Sequence, residues 1–192
     1  MKHTLVARVQ DHPGVLNRVA SLFRRRNFNI DSLTVGGSET PDYSRMTIVV
    51  DTARVPARFV EESLRKLVPI VEVKDVTALP TVDRDLALVR VRCDPADRRE
   101  LQGLIEIFRA RIVDVATDSV IVEITGDAAK LDGLLDLLRP RGILEMVRTG
   151  KVAMLRGAAA NGNGNGTGGN GNGPGSASGD GHGPDESPLG GV

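Results

Sequence analysis

Apolar residues at the start of the chain first follow the period of a strand and then that of a helix. Leu5, Ala7 and Val9 occupy every second position, as on one face of a strand. The apolar residues that follow have the spacing of one helix face: Val15, Leu16, Val19, Leu22 and Phe23. We predict that this helix begins near Pro13, because the fixed φ of proline suits a first helical turn. The pattern therefore places a short turn, Asp11–Leu16, between a strand and a helix.

The pattern predicts four further elements in the first eighty residues. Phe28–Val35 and Arg45–Val50 are extended and are joined by the turn-rich Gly36–Asp42, which indicates a hairpin. Pro56 opens a second helix, and Ile70–Leu79 forms a last strand. The order βαββαβ is typical of a ferredoxin-like α+β sandwich, with two helices on one face of an antiparallel sheet.

The same order of elements is repeated after Asp83–Asp85, which we interpret as a domain boundary. The second set comprises Leu86–Cys93, a helix carrying Leu101, Leu104, Ile105 and Phe108, Ile112–Val115, Ser119–Thr125, Asp127–Leu138 and Ile143–Arg148. We predict two tandem ferredoxin-like domains, 1–80 and 84–156. Ala96 stands in the second half where the first half has Gly14, and charged residues follow it, so the second turn is less suited to a ligand.

Residues 157–192 differ in composition from everything before them. They contain 14 of the 22 glycines, mixed with Asn, Ser, Ala and Pro. Such a segment buries too little apolar surface to offset its ordering entropy, so we predict a disordered low-complexity tail.

The turn Asp11–Leu16 has the residues of a small-anion site. Gly14 has no Cβ, so another molecule can approach its backbone closely. The unpaired N–H groups of a first helical turn and the positive end of the helix dipole favour a carboxylate or phosphate. Asp11 could receive a positive group, and this combination suits a zwitterion such as a free amino acid. The alternative is that Asp11 or His12 simply caps the helix, with Pro13 and Gly14 as ordinary turn residues.

Charge and composition narrow the class of protein. Up to Arg156 the chain holds 25 basic and 22 acidic residues, an excess too small to indicate a nucleic-acid partner. Cys93 is the single cysteine, which excludes a disulfide framework and fits a reducing cytoplasm. No apolar stretch reaches membrane length and no signal-peptide pattern is present, so we expect a soluble cytoplasmic protein.

The sequence contains no recognisable catalytic or metal-binding constellation. We find no Ser/His/Asp set, Walker-type phosphate loop or metal-spaced cluster, and His12 is the one histidine near a plausible site. Aromatic residues near strand positions, Phe28 and Tyr43, lack the basic surroundings of an RNA-binding sheet. A ligand-sensing or interaction module is therefore favoured over an enzyme.

Five stretches of the chain form specific motifs: Gly14-Val15-Leu16-Asn17-Arg18-Val19, Phe28-Asn29-Ile30-Asp31-Ser32-Leu33-Thr34-Val35, Ser44-Arg45-Met46-Thr47-Ile48, Glu106-Ile107-Phe108-Arg109-Ala110 and Arg148-Thr149-Gly150. Together they resemble the regulatory small subunit of acetolactate synthase, also called acetohydroxyacid synthase. The resemblance runs from about His3 to Gly157.

This resemblance implies an N-terminal ACT domain, a C-terminal ferredoxin-like domain and a homodimer that binds valine or a related branched-chain amino acid. It implies that a separate catalytic large subunit holds thiamine diphosphate, Mg²⁺ and FAD, and that this chain activates it and confers feedback inhibition. By position, the effector site falls on Asp11, His12, Pro13, Gly14, Val15 and Leu16, with Asn29 facing the turn across the dimer interface and Ile30 near the effector side chain. Asp11 stands where some relatives have Asn.

The sequence alone is also compatible with a different class of function. The chain could be a stand-alone ACT sensor that controls another enzyme or a transcription factor. Co-purification of a thiamine-diphosphate enzyme separates the two hypotheses.

Overall fold

The first domain of the chain is a four-stranded antiparallel sheet with two helices. The structure, a computed structural model, describes residues 1–51 and 56–157. Its first elements are β1 (Lys2–Gln10), α1 (Val15–Arg26), β2 (Asn29–Gly37), β3 (Tyr43–Asp51), α2 (Ala57–Arg65) and β4 (Ile70–Asp75). The strand order is β2-β3-β1-β4. The predicted ferredoxin-like topology is confirmed for this half.

The second domain repeats this arrangement. Its elements are β5 (Thr81–Arg92), α3 (Arg98–Ile107), β6 (Arg111–Val115), β7 (Ser119–Gly126), α4 (Ala128–Leu138) and β8 (Ile143–Arg148), with a 3₁₀ turn at Arg139–Arg141. The strand order β6-β7-β5-β8 matches that of the first sheet. A duplicated βαββαβ unit, as predicted, therefore builds the described part of the chain.

Each sheet buries one face against its own two helices. The first core is formed by alternate strand residues and by the apolar stripes of α1 and α2: Leu5, Ala7, Val9, Val15, Val19, Leu22, Phe23, Met46, Ile48, Val50, Val60, Leu64, Ile70 and Val73. The second core has the same plan and includes Val89, Leu101, Val122, Leu131 and Leu138. The two repeats of the pattern in the sequence therefore correspond to two separate cores.

A short strand that the sequence analysis missed links the two domains. β9 (Val152–Leu155) pairs with the first residues of β5, which starts at Thr81 and runs without a break through Asp83–Asp85. This two-stranded ribbon covers the open face of the first sheet, where Ala153 packs with Val6 and Val76. The last strand of the first domain ends at Asp75 and not at Leu79, whose N–H donates to the carbonyl of Val76 in a turn.

Asp85 fixes the turn that follows β8. Its side chain is buried and accepts hydrogen bonds from Arg148 Nε at 2.5 Å, Gly150 N at 3.1 Å and Thr149 Oγ1 at 3.2 Å. Arg148 also bonds Asp132 at 2.8 Å. Burial of Arg148 opposes its charge, but its hydrogen bonds to the two carboxylates more than compensate and raise its pKa.

At Gly150 this turn packs against the first domain. Its φ is +85°, and a Cβ added there would approach Ser32 Cβ to 3.0 Å. Thr34 Oγ1 donates to the carbonyl of Thr149 at 3.4 Å. The turn held by Asp85 is therefore in direct contact with β2.

We expect Asp85→Ala to lower the free energy of unfolding by about 2–3 kcal/mol, because removal of the buried carboxylate leaves three donors without their acceptor. Asp132→Ala is the matched control, since it removes the exposed carboxylate from the same arginine and should cost under about 1 kcal/mol. Urea denaturation of both variants measures the difference. Equal losses would show that burial of Asp85 contributes nothing beyond an exposed ion pair.

No helix within the described ranges combines the length and apolar character needed to cross a membrane. The predicted tail lies, from residue 158 onward, outside the described residues.

Candidate functional site

Backbone hydrogen bonds to two neighbouring loops fix the start of the turn between β1 and α1. The N–H of Gln10 donates to the carbonyl of Pro69 at 2.9 Å. The N–H of Asp11 donates to the carbonyl of Asp42 at 2.8 Å. The turn therefore leaves the sheet at a defined position, between the β2–β3 and α2–β4 connections.

Gly14 reverses the chain direction into α1. It is the N-cap residue and has φ 89° and ψ −7°, the left-handed conformation that glycine adopts at no steric cost. The helix consequently begins at Val15, two residues later than the sequence pattern predicted for Pro13. No side chain caps this helix, so the alternative interpretation of Asp11 or His12 as a helix cap is wrong.

The first turn of α1 leaves backbone donors unused. The N–H of Val15 donates to His12 O at 3.4 Å and that of Arg18 to Gly14 O at 3.0 Å. Within the part of the chain that the structure describes, the N–H groups of Leu16 and Asn17 have no acceptor. These two donors and the positive end of the helix dipole form a site that favours an anion.

The side chains around these donors are open to solvent. Asp11 and His12 are exposed, and a Cβ added at Gly14 would meet no heavy atom within 4 Å. The Asp11 carboxylate forms no ion pair with any described residue, and His12 Nδ1 lies 3.1 Å from the carbonyl of Pro13. The turn therefore presents two unused backbone donors and an exposed carboxylate to solvent.

The two apolar residues of the turn have different roles. Val15 is 4% exposed and its side chain packs in the first core, which leaves its backbone as the part of the residue that lies at the turn. Leu16 is 48% exposed and is the apolar side chain that the turn presents.

Asn29 and Ile30 lie far from this turn in the same chain. Asn29 is paired with Asp51 at one end of β3, whereas Gln10, which precedes the turn, is paired with Tyr43 at the other end. β3 has nine residues. The eight steps between its first and last residue, at about 3.4 Å each, separate these ends by roughly 27 Å. One chain alone does not bring the predicted residues together.

In the second domain, the first residue of the helix after the corresponding turn is bonded to the neighbouring hairpin. The N–H of Cys93 donates to Asp118 O at 2.9 Å, in the same way as Asp11 donates to Asp42. There, however, Arg98 donates to the carbonyls of Ala116 at 2.6 Å and Thr117 at 3.0 Å. The prediction that the second turn is less suited to a ligand agrees with this arrangement.

Two cavities occur elsewhere in the described chain. One of about 620 Å³ lies between the domains and is lined by charged residues that include Asp85 and Arg148. The other, of about 710 Å³, is mainly apolar and lies beside β9 and β2. The sequence analysis identified neither cavity. The sequence holds one signal of the first cavity. Asp85 is a charged residue that alternates in phase with the buried Ala87 and Val89 of β5.

Comparison with known families gives two matches that follow the two domains. A family described as the AHAS small subunit-like ACT domain matches residues 5–72. A family described as the small subunit of acetolactate synthase matches residues 84–157.

Individual relatives match over most of their length. The Archaeoglobus fulgidus protein named "Probable acetolactate synthase small subunit" is 52% identical over 157 residues, covering 82% of this chain and 98% of that protein. The acetolactate synthase small subunit of Mycobacterium leprae is 44% identical over 155 residues, covering 81% and 92%. The crystal structure of the acetolactate synthase small subunit from Thermotoga maritima superposes with a TM-score of 0.75 at 42% identity, covering 81% and 98%.

Proposed function

The chain belongs to the acetolactate synthase small-subunit family and is a regulatory subunit of that enzyme, and we propose that it activates a separate catalytic large subunit and makes it sensitive to valine or a related branched-chain amino acid. In this proposal the chemistry, with thiamine diphosphate, Mg²⁺ and FAD, belongs to the catalytic subunit, in the cytoplasm. The small-subunit names of its relatives favour this over a stand-alone sensor of another enzyme.

The effector proposal rests on one observation. The turn Asp11–Leu16 and the first helical residues after it present two unused N–H donors and the exposed carboxylate of Asp11. The N–H groups of Leu16 and Asn17 would bind the effector carboxylate, and Asp11 would bind its ammonium group. Exposed Leu16 supplies an apolar contact for a branched side chain. A dissociation constant of about 100 μM corresponds to roughly 5.5 kcal/mol. Charge-assisted hydrogen bonds at about 1.5–3 kcal/mol each account for most of it.

The separation of Asn29 from the turn supports a homodimer. β2 is an edge strand of the first sheet, so its outer edge is available for pairing with a second copy. Asn29 begins β2, and Gly37 ends it at the end of the sheet from which the turn leaves. Antiparallel pairing of two β2 strands about a two-fold axis would bring Asn29 of the partner subunit to that end. We propose that each effector site takes its turn from one subunit and Asn29 from the other.

Reconstitution tests the regulatory proposal. We expect the chain alone to form no acetolactate from pyruvate, and to raise the activity of its catalytic subunit saturably when the two are mixed. Valine should then lower the rate of the complex. An equal mass of an unrelated protein is the control. Unchanged activity across the titration, with the complex shown to form, would contradict the proposal.

A further inference from the structure

The helix face of the first domain carries a concentrated positive charge. Together α1 and α2 contain six arginines and two glutamates. All six arginines are exposed: Arg18, Arg24, Arg25, Arg26, Arg58 and Arg65. Within the described residues, Arg65 is the one that forms an ion pair, with Glu61 at 2.6 Å. The other five guanidinium groups have no carboxylate partner there.

The duplicated second domain shows that the fold itself does not require this charge. Its helices α3 and α4 contain three basic and four acidic residues. Nearly all of these are engaged by neighbours; for example, Glu100 pairs with Arg141 and Asp132 with Arg148. Arg99 is the one of the seven without a side-chain hydrogen bond or ion pair in the described part of the chain. The same architecture therefore has a cationic helix face in the first domain and a helix face of nearly balanced charge in the second.

Helix stability explains part of this cationic face and not the rest. Arg24, Arg25 and Arg26 lie in the last turn of α1, where positive charge complements the helix dipole. Arg58 is the second residue of α2 and Arg18 the fourth of α1, and positive charge at helix N-termini is unfavourable. These two arginines are placed against the helix dipole, which indicates a role outside the helices.

An exposed aromatic residue lies within the cationic face. Phe59 is 46% exposed, and the Arg58 guanidinium carbon lies 5.1 Å from the centre of its ring. Because β1 and β3 are antiparallel and each helix runs back along its strand, the C-terminus of α1 lies beside the N-terminus of α2. Arg24–Arg26 therefore lie at the same end of the helix layer as Arg58 and Phe59. Arginine and the aromatic residues, phenylalanine among them, are enriched at the cores of protein–protein interfaces.

We propose that this helix face, centred on Arg24–Arg26, Arg58 and Phe59, docks the catalytic subunit through an acidic surface with an apolar socket on that subunit. The proposal rests on the proposed function, since it assigns the contact surface of the same partner. The other face of the sheet is covered by β9, and the β2 edge is assigned to the homodimer. Neither of these contacts covers the helix face.

The test uses two charge reversals that should both weaken binding but whose effects on helix stability oppose each other. Arg24→Glu removes a favourable positive charge from the last turn of α1. Arg58→Glu places a negative charge at the N-terminus of α2, so the thermal stability of the chain should stay the same or rise slightly. Combined with Arg24→Glu, it should weaken binding to the catalytic subunit at least about tenfold at 0.1 M salt, with the difference shrinking as salt increases. Titration calorimetry of the full chain against the catalytic subunit gives the affinities, and thermal denaturation of each variant alone gives the stabilities.

Arg99→Glu is the position-matched control, because Arg99 is the second residue of α3 as Arg58 is of α2. Binding of this control should stay within about twofold of the wild type. If the wild type forms no complex, the proposed function itself fails. If the wild type binds and the double variant binds equally well, or Arg99→Glu is weakened as much, the docking surface is wrong. Retention of duplex DNA by the wild type at 0.15 M salt, lost in the double variant, would reassign the surface to nucleic acid.

Discussion

A chain with Gly14→Asp is expected to activate the catalytic subunit normally while losing its response to valine. The substitution puts a carboxylate into the open space beside the unused N–H groups of Leu16 and Asn17, where it would repel and displace the effector carboxylate. Activation needs the docked subunit, whereas feedback needs an effector that binds two states differently. The two properties should therefore separate in this variant.

The fold should survive this substitution. Asp is among the few residues that tolerate the left-handed conformation of Gly14, at a cost of about 1–2 kcal/mol, and the core positions Val15 and Val19 are unchanged. Loss of about 2–3 kcal/mol of binding free energy would raise the dissociation constant for valine roughly 30- to 150-fold. Calorimetry on the isolated chain and a valine titration of the reconstituted enzyme measure the two effects.

Gly14→Asn separates charge from shape in this experiment. The asparagine has the same size and the same backbone tolerance without the negative charge, so it should retain more affinity than the aspartate. Wild-type inhibition in Gly14→Asp would place the effector site away from this turn. Equal losses in both variants would assign the effect to obstruction rather than to repulsion.

Most of the fold could be predicted because its elements are long and periodic. Leu5, Ala7 and Val9 face the helices at every second position of β1, and the spacing of Val15, Val19, Leu22 and Phe23 allows one inward face of α1. Repetition of the whole pattern in the second half gave an internal check that a single domain does not offer.

The missed elements are those that depend on distant contacts. β9 has four residues, too few for a period to be recognised, and it is a strand because it pairs with Thr81–Arg84 and covers Val6. The start of α1 was misplaced for a local reason. The proline rule favoured Pro13, but the positive φ of Gly14 moved the first helical residue to Val15.

The candidate site was predicted position by position, and the resemblance implied that Asn29 faces the turn across a dimer interface. The turn has the expected open donors, and the helical period that identified α1 directs the side chain of Val15 into the core. Asn29 and the turn lie at opposite ends of β3, a separation set by strand register that local pattern cannot give. The second copy proposed at the β2 edge would complete the site.

Mixed dimers of two defective chains test whether the effector site is shared between subunits. Gly14→Asp damages the turn, and Asn29→Ala removes the polar group that the proposed site takes from the other subunit. Each variant alone should bind valine at least about tenfold more weakly than the wild type, because both of its sites lack a charge-assisted contact. In a mixed dimer, one site combines an intact turn from the Asn29→Ala chain with an intact Asn29 from the Gly14→Asp chain. The other site carries both defects.

Differently tagged chains, co-expressed and purified through both tags, would isolate the mixed dimer. We expect calorimetry to show one valine bound per two chains with an affinity near that of the wild type, against two for the wild-type dimer. If each site lay within one chain, every chain of the mixture would still carry a defect, and mixing would restore nothing. A mixed dimer no better than its parents would therefore reject the shared site. A single restored site would follow from the register of β3, which keeps Asn29 away from the turn of its own chain and leaves the partner to supply it.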